Sequence, residues 1–201
     1  MGLRLGAAVL AAAFVFAGDA AARSDEAARL MNELMSGKSP VGGDFSLKDH
    51  NGRMRSLAEF RGKLVLLYFG YTTCPDVCPT DLAQIGRAVR SLGNDSLQVQ
   101  PLFVTLDPAR DTGLVLRRYV TAFHPRFIAL RGTEAETRTI ARSFKVFHER
   151  DPATAKSRDY LIDHTAYTFL IDREGRFVGF FPTGTPSERI AALLRERLKK
   201  E

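Results

Sequence analysis

Apolar residues run unbroken through Leu64-Val65-Leu66-Leu67-Tyr68-Phe69 to Gly70, the pattern of a strand buried on both faces. Behind it, Thr80 to Leu92 carries Leu82, Ile85 and Val89 at helical spacing and stops at Gly93. The alternation then repeats. Val99 to Leu106 reads as a strand, Asp111 to Phe123 as a helix, Phe127 to Leu130 as a short strand and Thr133 to Phe144 as a helix. Thr133-x-x-Glu136 is a capping box, in which hydroxyl and carboxylate each accept a bond from a free backbone N–H at the helix start. Tyr167 to Ile171 and Arg176 to Phe181 form two strands joined by Asp172-Arg173-Glu174-Gly175, and Pro186 to Lys200 is a closing amphipathic helix.

Two stretches fall outside this rhythm. Asp44-Phe45-Ser46-Leu47 and Arg53-Met54-Arg55-Ser56 flank Asn51-Gly52, which supplies the positive φ of a tight hairpin. Between Phe147 and Asp163 the chain is polar and too long for an ordinary connection, and it delivers His164 just ahead of a core strand. A cysteine pair, Cys74 and Cys78, follows the first core strand directly. These features suit an α/β fold: a thioredoxin-like three-layer sandwich with an N-terminal β-hairpin and an inserted loop before the later core hairpin.

Residues 1–22 differ from the rest. Arg4, an uncharged apolar run from Leu5 to Ala17 and the small residues Ala20-Ala21-Ala22 read as a secretory signal. The run is shorter than the roughly 20 residues that cross a bilayer comfortably, which favours cleavage over retention as an uncleaved anchor. Residues 23–40 read as a tether with a short amphipathic helix, Glu26 to Met35, and residues 41–201 as one globular domain. The expected location is therefore the periplasm, either soluble or held at the inner membrane by the N-terminal segment. The net charge of +6 comes from residues spread along the chain, and tryptophan is absent, so nucleic-acid binding has no support. A basic surface instead suits an acidic partner or an anionic membrane.

Candidate chemistry centres on Cys74-Pro75-Asp76-Val77-Cys78-Pro79, which holds both cysteines of the chain. Pro79 is expected at the first helical position, with the cysteines in the turn ahead of it. Free N–H groups and the positive dipole end of that helix favour thiolate over thiol. A disulfide across so short a loop removes little unfolded-chain entropy, which demotes a structural staple. Two thiolates at this spacing with one imidazole would make a soft set suited to copper(I) and tolerant of copper(II). Zinc is the rival, but a closed zinc site needs a fourth protein ligand. Among the histidines, His50 sits in a predicted turn, His124 precedes Pro125 at a helix end and His148 opens the polar stretch, each with an ordinary structural explanation. Asp107-Pro108-Ala109-Arg110-Asp111 reads as turn and capping chemistry.

Three segments in order, Tyr68-Phe69-Gly70-Tyr71-Thr72-Thr73-Cys74-Pro75-Asp76-Val77-Cys78-Pro79, Leu106-Asp107-Pro108-Ala109-Arg110-Asp111-Thr112 and Asp163-His164-Thr165, resemble the Sco/SenC family over roughly residues 41 to 200. The resemblance implies a thioredoxin-fold, copper-binding protein that helps assemble the copper centre of cytochrome c oxidase. It also implies the ligands Cys74, Cys78 and His164 for one copper ion. The implied partners are the oxidase subunit bearing the acceptor site, another copper chaperone or a thiol reductant, all near a membrane. Copper carriage of this kind is not catalysis. The alternative is a thiol-disulfide oxidoreductase in which Cys74 and Cys78 reduce the oxidase cysteines, although the C-x-x-x-C spacing differs from the usual C-x-x-C. Thr72, Cys74 and Arg110 faintly suggest a peroxiredoxin, but the upstream proline of that motif is missing.

Overall fold

The computed structural model describes residues 8–200, with side chains from residue 22 onward, so the side chains of the expected leader up to residue 21 lie outside the described residues. The chain runs α1 (Ala8–Ser36), β1 (Ser46–Asp49), β2 (Met54–Ser56), β3 (Leu64–Gly70), α2 (Val77–Ser91), β4 (Val99–Thr105) and α3 (Gly113–Phe123). It continues through β5 (Ile128–Arg131), α4 (Glu134–Ser143), β6 (His148–Arg150), β7 (Ile162–His164), β8 (Tyr167–Ile171), β9 (Phe177–Pro182) and α5 (Ser187–Lys200).

Seven strands form one mixed sheet in the order β2-β1-β5-β4-β3-β8-β9. β3, β4 and β5 run parallel at its centre, β8 pairs antiparallel with β3, and the β1–β2 hairpin extends the far edge antiparallel to β5. Side chains alternate across the buried β3, which decides the layers. Leu64, Leu66 and Tyr68 pack with Leu82, Ile85 and Val89 of α2, Leu116 and Val120 of α3, and Ile190 and Leu194 of α5. Val65, Leu67 and Phe69 face the other way, onto Ile140 and Ala141 of α4 and Leu34 of α1. The result is the three-layer sandwich, each fully buried large side chain contributing about 1.5–3 kcal/mol.

α1 is longer than the short helix expected at Glu26 to Met35, and its second half lies against the domain. Leu30 and Leu34 are buried, Tyr167 Oη donates to Met31 Sδ at 3.3 Å, and Lys145 Nζ stands 2.7 Å from Glu33. Among the described residues, no helix is long and apolar enough to cross a membrane.

The polar stretch before His164 is not a plain loop. β6 and β7 pair antiparallel as a separate ribbon, matching His148 with His164, Glu149 with Asp163 and Arg150 with Ile162. Strands of three residues carry too little alternation to be read from sequence. Tyr160 and Ile162 are nevertheless buried and dock the ribbon on the core shared with β3 and α2.

Candidate metal centre

β3 and β4 are parallel, so their C-terminal ends lie at one end of the sheet, the end at which α/β sheets present their chemistry. From Gly70 the chain turns through Tyr71 to Asp76 into α2. The helix begins at Val77, two residues earlier than expected, so Cys78 lies inside its first turn and Pro79 is the third helical residue. Proline is tolerated there because N–H groups throughout the first turn have no helical partner. Asp76 occupies the N-cap position but makes no side-chain cap bond.

Cys78 is fully buried and Cys74 is 9% exposed at the rim. A Cβ on Gly70 would stand 2.8 Å from Cys78 Sγ, so the bare backbone at the end of β3 makes room for this sulfur. From β7, His164 directs Nε2 to 3.5 Å from Cys78 Sγ, while its Nδ1 lies 3.2 Å from the Thr165 carbonyl. A carbonyl only accepts, so Nδ1 carries a proton, and this bond turns Nε2 toward the sulfurs. The Tyr71 ring stands edge-on to the imidazole, 5.8 Å between centroids. One ligand atom from each of Cys74, Cys78 and His164 falls within a 4.8 Å cluster, and among the described residues no further His, Cys, Asp or Glu joins it. The donor chemistry fits a soft ion held by three ligands and leaves a closed four-ligand zinc site one ligand short.

The two sulfurs divide their protonation unequally. A hydrogen bond from the Cys78 thiol, the His164 side chain and the backbone N–H groups of Asp76 and Cys78 hold the Cys74 thiol far below its usual range, against the opposing effect of burial. The neighbouring Cys74 sulfur, followed by burial, pushes Cys78 up. One charge is therefore shared, with the thiolate at the accessible sulfur.

The SCO1/SenC family model matches residues 33–199. The chain belongs to this family. An SCO2-like protein of Rickettsia prowazekii is 40% identical over 158 residues, covering 79% of this chain and 77% of the relative. Bradyrhizobium japonicum ScoI, solved with copper bound, is 39% identical with a TM-score of 0.72, over 78% of this chain and 99% of that one. Yeast Sco1 with copper bound is 33% identical with a TM-score of 0.74, over 81% of this chain and 91% of that one. The thioredoxin-like reading of the fold agrees with these neighbours.

In this Sco-family chain the segment Asp107 to Asp111 does more than turn and cap. The helix starts at Gly113, with Thr112 as N-cap accepting from the Val115 N–H. Asp111 is instead a fully buried acceptor for the Thr72 N–H at 3.1 Å, the Thr72 hydroxyl at 2.6 Å and the Thr105 hydroxyl, which braces the loop ahead of Cys74. Burial raises its carboxyl above the usual range against these three bonds. Arg110 pairs with buried Asp107, lies 3.5 Å from the Tyr160 ring centroid and donates to the Tyr160 carbonyl at 2.8 Å, bracing the stretch that leads to His164. Tyr160 Oη closes the circuit on Asp107 at 2.7 Å.

Asp81, one turn along α2 from Cys78, accepts from Tyr68 Oη, Thr183 Oγ1 and the Gly184 N–H and ties the helix to the end of β9. Sequence reasoning passed over Gly70, Asp81 and Tyr160. The one usable signal was a carboxylate inside an apolar helix face at Asp81. His50 and His124 accept from the Ala129 and Arg126 N–H groups, the ordinary structural roles expected of them. His148 is half-buried opposite His164, and desolvation, followed by Arg138, lowers its pKa to about 4.

Proposed function

We propose that the chain carries one copper ion on Cys74, Cys78 and His164 and hands it by ligand exchange to a copper-site subunit of cytochrome c oxidase. The observation that carries this reading is the convergence of two sulfurs and one imidazole nitrogen within 4.8 Å of one another. Copper-bound relatives at 39% and 33% identity support the choice of ion. Three ligands, of which His164 is the partly exposed one, hold copper(I) firmly while leaving a coordination position for an incoming ligand. The proposed setting is the periplasmic side of a membrane, where an acceptor subunit and a thiol reductant are both at hand. Loading the purified, reduced protein with copper(I) tests it. One ion per chain is expected, and tight one-to-one binding by His164→Ala or Cys78→Ser would overturn the three-ligand site.

The unequal sulfurs favour one second reading, reduction of the acceptor's cysteines. In that reaction the Cys74 thiolate attacks a disulfide sulfur and expels one thiolate. Cys78 then loses its proton, attacks the Cys74 sulfur and expels the second, leaving a Cys74–Cys78 disulfide for an external thiol to reduce. His164→Ala separates the two, since it removes a copper ligand while both sulfurs that dithiol exchange needs remain, with the Cys74 pH profile moved upward.

A further inference from the structure

The ribbon that carries His164 belongs to a separate two-stranded sheet and shares no ladder with the seven-stranded one. Its placement rests on side-chain ties. Arg110 supplies one through the Tyr160 carbonyl. Arg23 of α1 supplies another from the opposite end of the sequence: its Nε stands 2.6 Å from Glu149 Oε2, and its Nη2 lies 3.3 Å from Asp163 Oδ2 and donates to the Arg150 carbonyl at 3.2 Å. One guanidinium therefore grips both strands, β6 through Glu149 and Arg150 and β7 through Asp163, the residue covalently next to His164. Its side chain is 19% exposed, with Glu149 at 34% and Asp163 at 60%, so the fork is shielded on the Glu149 arm and open to solvent at Asp163. α1 is itself fastened beyond Arg23 by buried Leu30 and Leu34 and by ion pairs from Glu26 to Arg142 and Glu33 to Lys145. The family match begins only at residue 33, so Arg23 lies upstream of it.

We infer that Arg23 is a positioning residue: α1 is a strap whose Arg23 latch holds the β6–β7 ribbon so that His164 stays on the two sulfurs. The inference rests on the reading of Cys74, Cys78 and His164 as the copper site. Loosening the latch therefore acts on the imidazole and not on the two sulfurs, which lie ahead of and within α2.

Amide hydrogen exchange and copper(I) release to a chromogenic chelator, both on the full chain, test the latch. Arg23→Gln is expected to speed exchange across residues 147–165 about threefold to tenfold, with β3 and β4 unchanged as the control for folding. Copper release should quicken by a similar factor, and high salt should reproduce both effects in the wild type but add little in Arg23→Gln. In a His164→Ala background, Arg23→Gln should leave the release rate unaltered. Unchanged ribbon exchange in Arg23→Gln overturns the latch. A loosened ribbon with unaltered copper release, or equal acceleration with and without His164, overturns its link to the third ligand. Failure of the wild type to bind one copper overturns the site reading instead, and the exchange measurement still judges the latch.

Discussion

The α-carbon of Gly70 faces the Cys78 sulfur so closely that a methyl group there would stand 2.8 Å from Sγ, with Tyr68 and Phe103 at 3.0 and 3.2 Å. All three neighbours are buried, so none can swing into solvent. Gly70→Ala should cost about 1–3 kcal/mol through overpacking and displace the sulfur. Urea unfolding and a copper titration on the same variant check this. Wild-type affinity in Gly70→Ala would show that Cys78 has room to spare.

Asp111 holds three donors, two of them on Thr72 in the loop that leads to Cys74. Asp111→Ala removes a fully buried acceptor and strands the buried Thr105 hydroxyl and the two donors of half-buried Thr72, a loss of about 1–3 kcal/mol. Because Thr72 loses its anchor, the Cys74 loop should also exchange its amides faster than the sheet beneath it. Denaturant unfolding with hydrogen exchange separates the two effects. A loop exchange rate equal to the wild type would show that the cysteine turn stands without this carboxylate.

What could be read from the sequence was what rests on dense local signals. β3 was legible because seven successive residues are buried, and the start of α4 was legible because Thr133 and Glu136 cap it reciprocally. The start of α2 was misjudged, since a proline fits anywhere in a first turn and the Asp76 side chain makes no cap bond. Long-range pairings were harder still. β6 and β7 are too short to show a period, and nothing local marks Asp111 as the buried partner of Thr72 instead of a residue of the following helix. Only the family resemblance singles out His164 beside the two cysteines, since no local pattern tells it from His148, its partner across the ribbon.

His148 should make stability depend on pH. Burial, then Arg138, His164 and Arg142, hold its folded pKa at about 4, below the unfolded 6.5, while Glu26 opposes them. The unfolded chain therefore binds the extra proton between those values, and stability rises with pH across that window and is flat beyond it. The contribution is at most about 3 kcal/mol, less whatever solvent screening removes. His50 and His124 are also held low by burial and add slopes of the same sign. Urea midpoints from pH 4 to 7 should flatten in His148→Phe relative to the wild type. An identical slope in both would assign the dependence to other groups.

Of the two sulfurs, Cys74 is expected to react first. Its lowered pKa comes first from the Cys78 side chain and then, against burial, from His164 and the backbone N–H groups of Asp76 and Cys78. Cys78 is fully buried and pushed up, so it remains a thiol. Iodoacetamide near pH 6 should therefore alkylate Cys74 and spare Cys78 in the reduced, metal-free protein, and bound copper should protect both. Cys78→Ala removes the leading cause and should move the pH profile of Cys74 alkylation upward, whereas Cys78→Ser retains a donor and should move it less. Equal labelling of both sulfurs at low pH would mean that the charge is not localised at the rim, and the order of attack proposed for dithiol exchange would then fail with it.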